Sequence, residues 1–87
     1  MIYTLYIKKQ AQKVLKNLSR TDRNRIAEKI QQLGEDPDSL LLDIKPLEGQ
    51  LHYYRLRVGD WRIIFDRDDE LRILVIEKIK PRGEAYK

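Results

Sequence analysis

The segment from Tyr54 to Phe65 constrains the fold more than any other part of the chain. It contains two runs of strand-forming residues separated by Gly59 and Asp60, a pattern typical of two strands joined by a two-residue turn. Such a tight turn fixes which residues lie opposite each other in the hairpin. The predicted opposed pairs are Val58 with Trp61, Arg57 with Arg62, and Arg55 with Ile64.

This pairing sorts the hairpin into two chemically different faces, because successive side chains of a strand alternate in direction. Like charges that share a face repel each other and stabilise a sheet poorly. We therefore expect the charged face to bind a polyanion. The charged face carries Arg55, Arg57 and Arg62. The apolar face carries Leu56, Val58, Trp61, Ile63 and Phe65.

The bulk composition indicates a single small domain, residues 1–87, and excludes several chemistries. Apolar residues make up 41% and charged residues 37% of the 87 positions, and the net charge is +4, which favours nucleic acid, acidic protein or anionic lipid as a partner. The absence of cysteine excludes disulfides and thiolate catalysis, and the single histidine, His52, excludes a multi-histidine metal site. No signal peptide, membrane span or lipidation motif is evident, so we expect a cytoplasmic protein without membrane contact.

The N-terminal half predicts a strand followed by a helical hairpin. Ile2 to Ile7 is rich in β-branched and aromatic residues, as strands are. Ser19 and Asp22 have the spacing of a capping box that opens the second helix, and Gly34 is placed to end it. The two helices are indicated by apolar stripes at helical spacing, Ala11, Val14, Leu15 and Leu18 in the first and Ile26, Ala27, Ile30 and Leu33 in the second.

The C-terminal half predicts a connector and a three-stranded meander. The connector runs from Glu35 to Gln50, and we expect its Leu40, Leu41 and Leu42 to pack over an edge of the core. The last strand is apolar on both faces, which indicates a central position covered on both sides. The fold class is therefore α+β, with one four-stranded sheet and the helices on its apolar face. The meander strands are predicted at Leu51–Val58, Trp61–Asp66 and Leu71–Ile79.

The side chains left for chemistry are arginine, lysine and tyrosine. No Ser-His-Asp set and no glycine-rich phosphate loop is present, and the acidic cluster from Arg67 to Glu70 is typical of a plain turn. Cleavage of RNA by its own 2′-hydroxyl suits such a site, because it requires alignment and neutralisation of the phosphate and no covalent enzyme intermediate. Arginine forks onto phosphate oxygens but cannot act as a base, whereas a lysine among arginines can exchange a proton.

The C-terminal tail leaves two interpretations open. Pro81 cannot continue a central ladder, so the last strand should end near Ile79 or Lys80. Gly83 permits an abrupt turn that would bring Arg82 and Tyr86 beside the arginines of the hairpin. A frayed cationic terminus is the equally plausible alternative.

Three segments, Leu47–Gly49, Tyr54–Phe65 and Lys80–Lys87, resemble the RelE toxins of the RelE/ParE superfamily. The ending Lys-Pro-Arg-Gly-Glu-Ala-Tyr-Lys is similar to that of archaeal RelE proteins. The resemblance extends over the whole chain, including the order of one strand, two helices and three strands. It is specific in the second half and only compositional in the helices.

This resemblance implies a toxin that cuts mRNA in the ribosomal A site, in contact with ribosomal RNA, without a metal or other cofactor. It implies a cognate RelB-like antitoxin, and contact with operator DNA only through the antitoxin complex. The implied catalytic residues are Arg62, which matches the active-site arginine of the sheet, Arg82 and Tyr86 of the C-terminal motif, and Lys80 near a further basic position. Arg55 and Arg57 match positions that bind and activate RNA, and Lys78 is a second candidate for carrying a proton.

The chain departs from its archaeal relatives at Glu84, where they can carry a basic residue, and its tail lacks the histidine of several bacterial relatives. Two alternatives to the nuclease are a ParE-like inhibitor of DNA gyrase, which shares the fold, and a catalytically weak RNA-binding member. Retention of Arg62, Arg82 and Tyr86 argues against the gyrase branch.

Overall fold

A computed structural model describes residues 2–81 as two helices packed on one face of a five-stranded sheet. The strands follow the order β1-β5-β4-β3-β2, with β1 parallel to β5 and every other pair antiparallel. The predicted α+β class is confirmed. The elements are β1 (Thr4–Ile7), α1 (Lys9–Asn17), α2 (Arg20–Glu35), β2 (Asp43–Pro46), β3 (Tyr53–Val58), β4 (Trp61–Asp68) and β5 (Ile73–Pro81).

The hairpin of β3 and β4 has the predicted register. Gly59 has a φ of +57°, the left-handed backbone that the first central position of a type II′ turn requires and that glycine adopts without steric cost. Asp22 of α2 accepts a hydrogen bond of 3.3 Å from the indole Nε1 of Trp61 and so ties the turn to the helices. The three predicted pairs are all observed, Val58 with Trp61, Arg57 with Arg62, and Arg55 with Ile64.

The core lies between the helices and the apolar face of the sheet, as predicted. Ring stacking of Tyr54 on Phe65, with centroids 5.7 Å apart, extends it towards β2. Ala27 is exposed, so its predicted place in the buried stripe of α2 is wrong. It lies one position beyond Ile26, and on a helix adjacent residues point about 100° apart. The residues at the centre of the core are Ala11, Ile26, Ile30, Leu33, Leu56, Ile63, Phe65, Leu74 and Ile76.

The two ends of α2 differ in how well the sequence predicts them. Ser19 is the N-cap residue, and its Oγ accepts a hydrogen bond of 3.3 Å from the backbone N–H of Asp22, as the capping pattern predicts. Gly34 does not end the helix, which continues to Glu35. A Cβ on Gly34 would lie 2.8 Å from Cδ1 of Leu5. The glycine is therefore required for close contact between α2 and β1 and not for termination.

The connector contains a strand that the sequence did not indicate, so the predicted four-stranded sheet is wrong in its strand count. Ile44 is the only apolar aliphatic residue of β2, and the strand ends at Pro46. A short, polar strand that ends in proline is typical of a sheet edge, and it lacks the length and periodicity by which strands are predicted. Of the connector leucines, Leu42 is buried, but Leu40 and Leu41 are 100% and 86% exposed.

The remaining strands are displaced by a few residues from their predicted ends. His52 and Arg72 have φ values of +69° and +56°, so each interrupts the extended backbone just before a strand begins. β5 therefore starts at Ile73. Its predicted end near Ile79 or Lys80 is wrong, since the strand runs to Pro81, which lies opposite Trp61 beyond the part of β5 that pairs with β1 and so needs no N–H on that side. Its interior position between β1 and β4 is confirmed, but Val75 on the helix-free face is only half-buried, in contrast to the predicted cover on both sides.

Arg67 joins three distant parts of the chain near the end of β4. Its guanidinium donates two hydrogen bonds of 2.9 and 3.1 Å to the Asp38 carboxylate and one of 2.6 Å to Asp69. The Tyr3 hydroxyl donates to the same Asp69 carboxylate at 2.8 Å. These bonds from Arg67 lower the pKa of both carboxyls below the ordinary value of aspartate. The cluster thereby attaches the connector and the start of β1 to the sheet.

We expect Gly34→Ala to destabilise the protein even though alanine is favoured over glycine in helices by about 1 kcal/mol. Overpacking against Leu5 costs about 1–3 kcal/mol, so the free energy of unfolding in urea should fall by up to ~2 kcal/mol. In a Leu5→Ala background the same change should raise the free energy of unfolding by up to about 1 kcal/mol. Equal effects in both backgrounds would contradict the contact between Leu5 and Gly34.

The Arg67 cluster predicts a loss of stability at acid pH. Because the folded-state pKa of Asp38 and of Asp69 is depressed, their stabilisation is present above about pH 4 and is lost as the pH falls through the folded-state pKa. Asp38→Asn should weaken this dependence of the thermal midpoint on pH. The effect should be at most about 1 kcal/mol, since the carboxylate is largely exposed. Glu70→Gln, in the neighbouring turn, is the control and should keep the wild-type profile.

Candidate functional site

The face of the sheet opposite the helices carries two cross-strand rows of mostly basic side chains. Directly opposed residues of an antiparallel sheet share a face and lie about 5 Å apart. The observed register gives one row of Asp43, Arg57, Arg62 and Lys80, and a second row of Lys45, Arg55, Ile64 and Lys78. We call the six basic residues of these rows the basic face.

Five of the predicted site residues lie on the basic face, Arg55, Arg57, Arg62, Lys78 and Lys80. The structure brings Lys80 directly opposite Arg62, a pairing that the hairpin alone does not predict. Lys45 was missed, because it lies on the unpredicted strand β2. Lys45 can be assigned to the basic face only once β2 is known, because its pairing with Arg55 then becomes evident. Arg82 and Tyr86, the predicted residues of the C-terminal motif, lie outside the described residues.

The arginines of the basic face differ in exposure. Arg55 and Arg62 are buried, with 8% and 7% of their surface exposed, whereas Arg57 is exposed. Burial of a guanidinium is costly unless charged or hydrogen-bonding groups compensate it. Asp43 of the edge strand supplies one such group, since its Oδ1 lies 3.5 Å from Nη2 of Arg55. Burial restricts the rotamers of Arg55 and Arg62, whereas the exposed Arg57 is not restricted in this way.

A groove of about 540 Å³ crosses this face between β5 and the loop that joins β2 to β3. Its walls combine the apolar side chains of Leu47 and Ile64 with two carboxylates and two lysines, and so suit a ligand that has both apolar and polar parts. Sequence reasoning missed Tyr53 and Glu77 here. Alternation from Arg55 would have found Tyr53, whereas Glu77 lies at an irregularity of β5. The lining residues are Leu47, Glu48, Gln50, Tyr53, Ile64, Glu77, Lys78 and Lys80.

His52 lies apart from this groove. It is exposed and lines a different cavity with the acidic residues that flank the β4–β5 turn. Its backbone carbonyl accepts a hydrogen bond of 2.8 Å from the N–H of Arg67. This position favours the interpretation of His52 as an ordinary residue at a strand edge. Arg67 and Asp68, predicted to belong to the acidic turn, are the last residues of β4.

Two general properties of the described residues concern cofactors and membranes. Between residues 2 and 81, no group of three or more acidic or histidine side chains is arranged as metal ligands would be. In the same part of the chain, neither helix has the length and apolar character needed to cross a lipid bilayer.

Comparison with known proteins identifies the family. A family model for the ParE toxin of the parDE type II toxin–antitoxin system matches residues 3–86. A protein of Methanocaldococcus jannaschii that is assigned as the candidate toxin RelE1 is 34% identical over 88 aligned residues, which cover 100% of this chain and 98% of the relative. The chain therefore belongs to the RelE/ParE superfamily of type II toxins.

Solved structures show the same fold. The archaeal RelE–RelB complex from Pyrococcus horikoshii OT3 contains a chain with a TM-score of 0.83 and 34% identity, over 95% of this chain and 98% of that one. The toxin–antitoxin complex RelBE2 of Mycobacterium tuberculosis contains a chain with a TM-score of 0.78 and 26% identity. The match covers 94% of this chain and 100% of that chain.

The basic face predicts salt-sensitive binding of single-stranded RNA. The logarithm of affinity falls linearly with the logarithm of salt concentration, with a slope of about −0.7 for each phosphate that a protein neutralises. Arg57→Gln should make this slope shallower by about 0.7 and leave the thermal midpoint almost unchanged, because Arg57 is exposed. Arg72→Gln, an equal loss of charge in the distant β4–β5 turn, is the control. Equal slopes for the two variants would contradict RNA binding at the basic face.

Proposed function

We propose that this toxin is a ribosome-dependent endoribonuclease that inhibits translation by cutting mRNA. The observation that carries the proposal is the pair of basic rows on the helix-free face, beside a groove that suits a nucleotide. Three arginines and three lysines converge there on rigid strands, and Asp43 is the only acidic residue within the two rows. Such a density of cations suits a phosphodiester whose charge increases in the transition state.

The proposed reaction uses the RNA's own 2′-hydroxyl as nucleophile. Its oxygen attacks the adjacent phosphorus, the bond from phosphorus to the 5′-oxygen breaks, and the leaving oxygen takes up a proton. The products carry a 2′,3′-cyclic phosphate and a 5′-hydroxyl. We assign binding and stabilisation of the phosphate to Arg62 and Arg82, and positioning of the backbone to Arg55 and Arg57. Tyr86 orients the nucleotide, and Lys80 or Lys78 carries a proton.

Burial gives Arg62 a specific place in this mechanism. A guanidinium presents its donors in a planar fork that matches two oxygens of a phosphate. Packing in the sheet preorganises that fork, so little entropy is lost when the substrate binds. The exposed Arg57 suits the looser task of holding the chain of phosphates along the face.

We further propose that the toxin acts in the cytoplasm and is held inactive by a RelB-like antitoxin. Relatives with this fold were solved as RelE–RelB and RelBE2 complexes. An acidic, partly disordered antitoxin would be attracted to the basic surface and would fold on it. The other proposed partners are the mRNA and ribosomal RNA of the translating ribosome, and operator DNA only through the antitoxin complex.

A ParE-like inhibitor of DNA gyrase is the second candidate. The match of residues 3–86 to the ParE family model favours it. The basic rows favour the nuclease, because a dense group of cations suits the phosphates of RNA, whereas inhibition of a protein does not require one. A catalytically weak RNA-binding member would keep the basic rows and lack cleavage.

Cleavage of a defined mRNA by the purified toxin, with and without ribosomes, tests the proposal. We expect cutting only with ribosomes, cyclic phosphate ends, and no cutting of an mRNA with a 2′-deoxynucleotide at the cleavage site. Arg62→Lys keeps the charge but loses the fork, and should reduce the cleavage rate roughly 10²-fold, as loss of one transition-state donor does. Arg72→Lys is the matched control and should cleave like the wild type.

Two outcomes would contradict the nuclease. Intact transcripts together with gyrase-dependent DNA breaks would establish the second candidate. Salt-sensitive RNA binding without cleavage in the presence of ribosomes would indicate the RNA-binding member.

A further inference from the structure

Strand β5 contains one more residue than its partner requires. Ile64 of β4 lies opposite Lys78, but the next residue, Phe65, lies opposite Ile76. Glu77 is therefore the extra residue of a β-bulge. Bulges disrupt the hydrogen-bonded ladder locally and are frequent beside active sites, where they redirect a side chain.

The bulge is not required to place the neighbouring residues. Ile76 and Ile79 are in the core, and Lys78 and Lys80 share the face of Ile64 and Arg62. If Glu77 were removed, these four residues would alternate as a regular strand on the faces that they already occupy. The effect of the extra residue, Glu77, is therefore to place a carboxylate beside the lysines of the groove.

Glu77 is held in place by a residue from another part of the chain. Its Oε1 lies 2.7 Å from Nζ of Lys8, and only 14% of its side chain is exposed. Lys8 follows β1, and its backbone N–H donates a hydrogen bond of 3.1 Å to the carbonyl of Ile76. The ion pair raises the pKa of Lys8 above the ordinary value of lysine. A catalytic base is commonly held in its orientation by a further side chain, and Lys8 holds the carboxylate of Glu77 in the same way.

The proposed reaction needs a group that accepts the proton of the 2′-hydroxyl. Arginine cannot do so at neutral pH, and a lysine ammonium must first lose its own proton. Carboxylates are ionised at neutral pH and accept protons directly. The groove is lined by two of them, the exposed Glu48 and the anchored Glu77.

We propose that Glu77 is the general base of the RNA-cleaving reaction and that Lys8 orients it. This inference rests on the proposed nuclease function. Glu77 takes the 2′-hydroxyl proton as the bond from the 2′-oxygen to phosphorus forms. The bond from phosphorus to the 5′-oxygen then breaks, and the ammonium of Lys80 or Lys78 gives its proton to the leaving oxygen. Lys8 pairs with Glu77, and the other charged and titratable groups that line the groove with it are Glu48, Tyr53, Lys78 and Lys80.

Chemical rescue tests the role of Glu77 directly. Glu77→Ala should reduce the rate of ribosome-dependent cleavage at least 10²-fold at saturating substrate, as loss of a general base does, with little change in KM. Added formate should restore a substantial part of the rate, because a small carboxylate can occupy the vacated space. Glu70→Ala, which removes an exposed carboxylate of the β4–β5 turn outside the groove, is the matched control and should cleave at the wild-type rate with no response to formate.

Further variants separate a catalytic role from a structural one. Glu77→Gln keeps the shape of the side chain and should show the same loss with an unchanged thermal midpoint. Lys8→Gln should lower the rate several-fold, and Lys8→Arg should retain most of it. Lys9→Gln removes a neighbouring charge that forms no ion pair with residues 2–81, and should have no effect.

The failure of this inference is distinguishable from failure of the proposed function. A wild-type protein that does not cut mRNA on ribosomes would overturn the nuclease and this inference with it. A wild-type protein that cuts, together with a folded Glu77→Gln that cuts equally well, would overturn only the role of Glu77. A Glu77→Ala variant that is inactive and gains nothing from formate would also overturn it.

Discussion

The two-residue turn at Gly59 and Asp60 is the constraint on which the rest of the structure depends. Because the turn leaves no freedom in pairing, it fixes the register of β3 and β4, the two strands that provide all three arginines of the basic face. A slip of one residue would exchange the two faces of a strand, burying arginines in the core and exposing Leu56 and Ile63. The core and the site are therefore determined by the same geometry.

This dependence explains how much the sequence alone could predict. The hairpin register, the capping of α2 by Ser19 and the α+β class follow from local patterns, and all are observed. β2 was not predicted, because a short polar edge strand has no local sequence pattern and is recognised only by its pairing with β3 in the tertiary structure. The role of Gly34 could not be predicted either. A glycine near the end of a helix has the same local sequence pattern whether it ends the helix or leaves space for the side chain of Leu5.

The exposure of the arginines was the other property beyond reach of the sequence. Alternation predicts that Arg55, Arg57 and Arg62 share a face, but it does not predict that two of them are buried. Asp43, on the strand that was missed, is part of the physical reason, because it offsets the charge of Arg55 within the sheet. Burial of cations reduces the stability of the fold but holds their side chains in a fixed orientation. Such a balance is expected of a binding site and not of a purely structural sheet.

β5 joins two regions of different chemistry, and the bulge lies between them. Before Glu77, β5 pairs with β1 and is largely apolar. After Glu77, β5 no longer pairs with β1, and lysines alternate with core residues. A regular period of two cannot describe both regions, because the extra residue shifts the alternation by one position. Local rules tend to fail where a protein has a functional requirement. The irregularity in β5 coincides with the groove, the lysines and an anchored carboxylate.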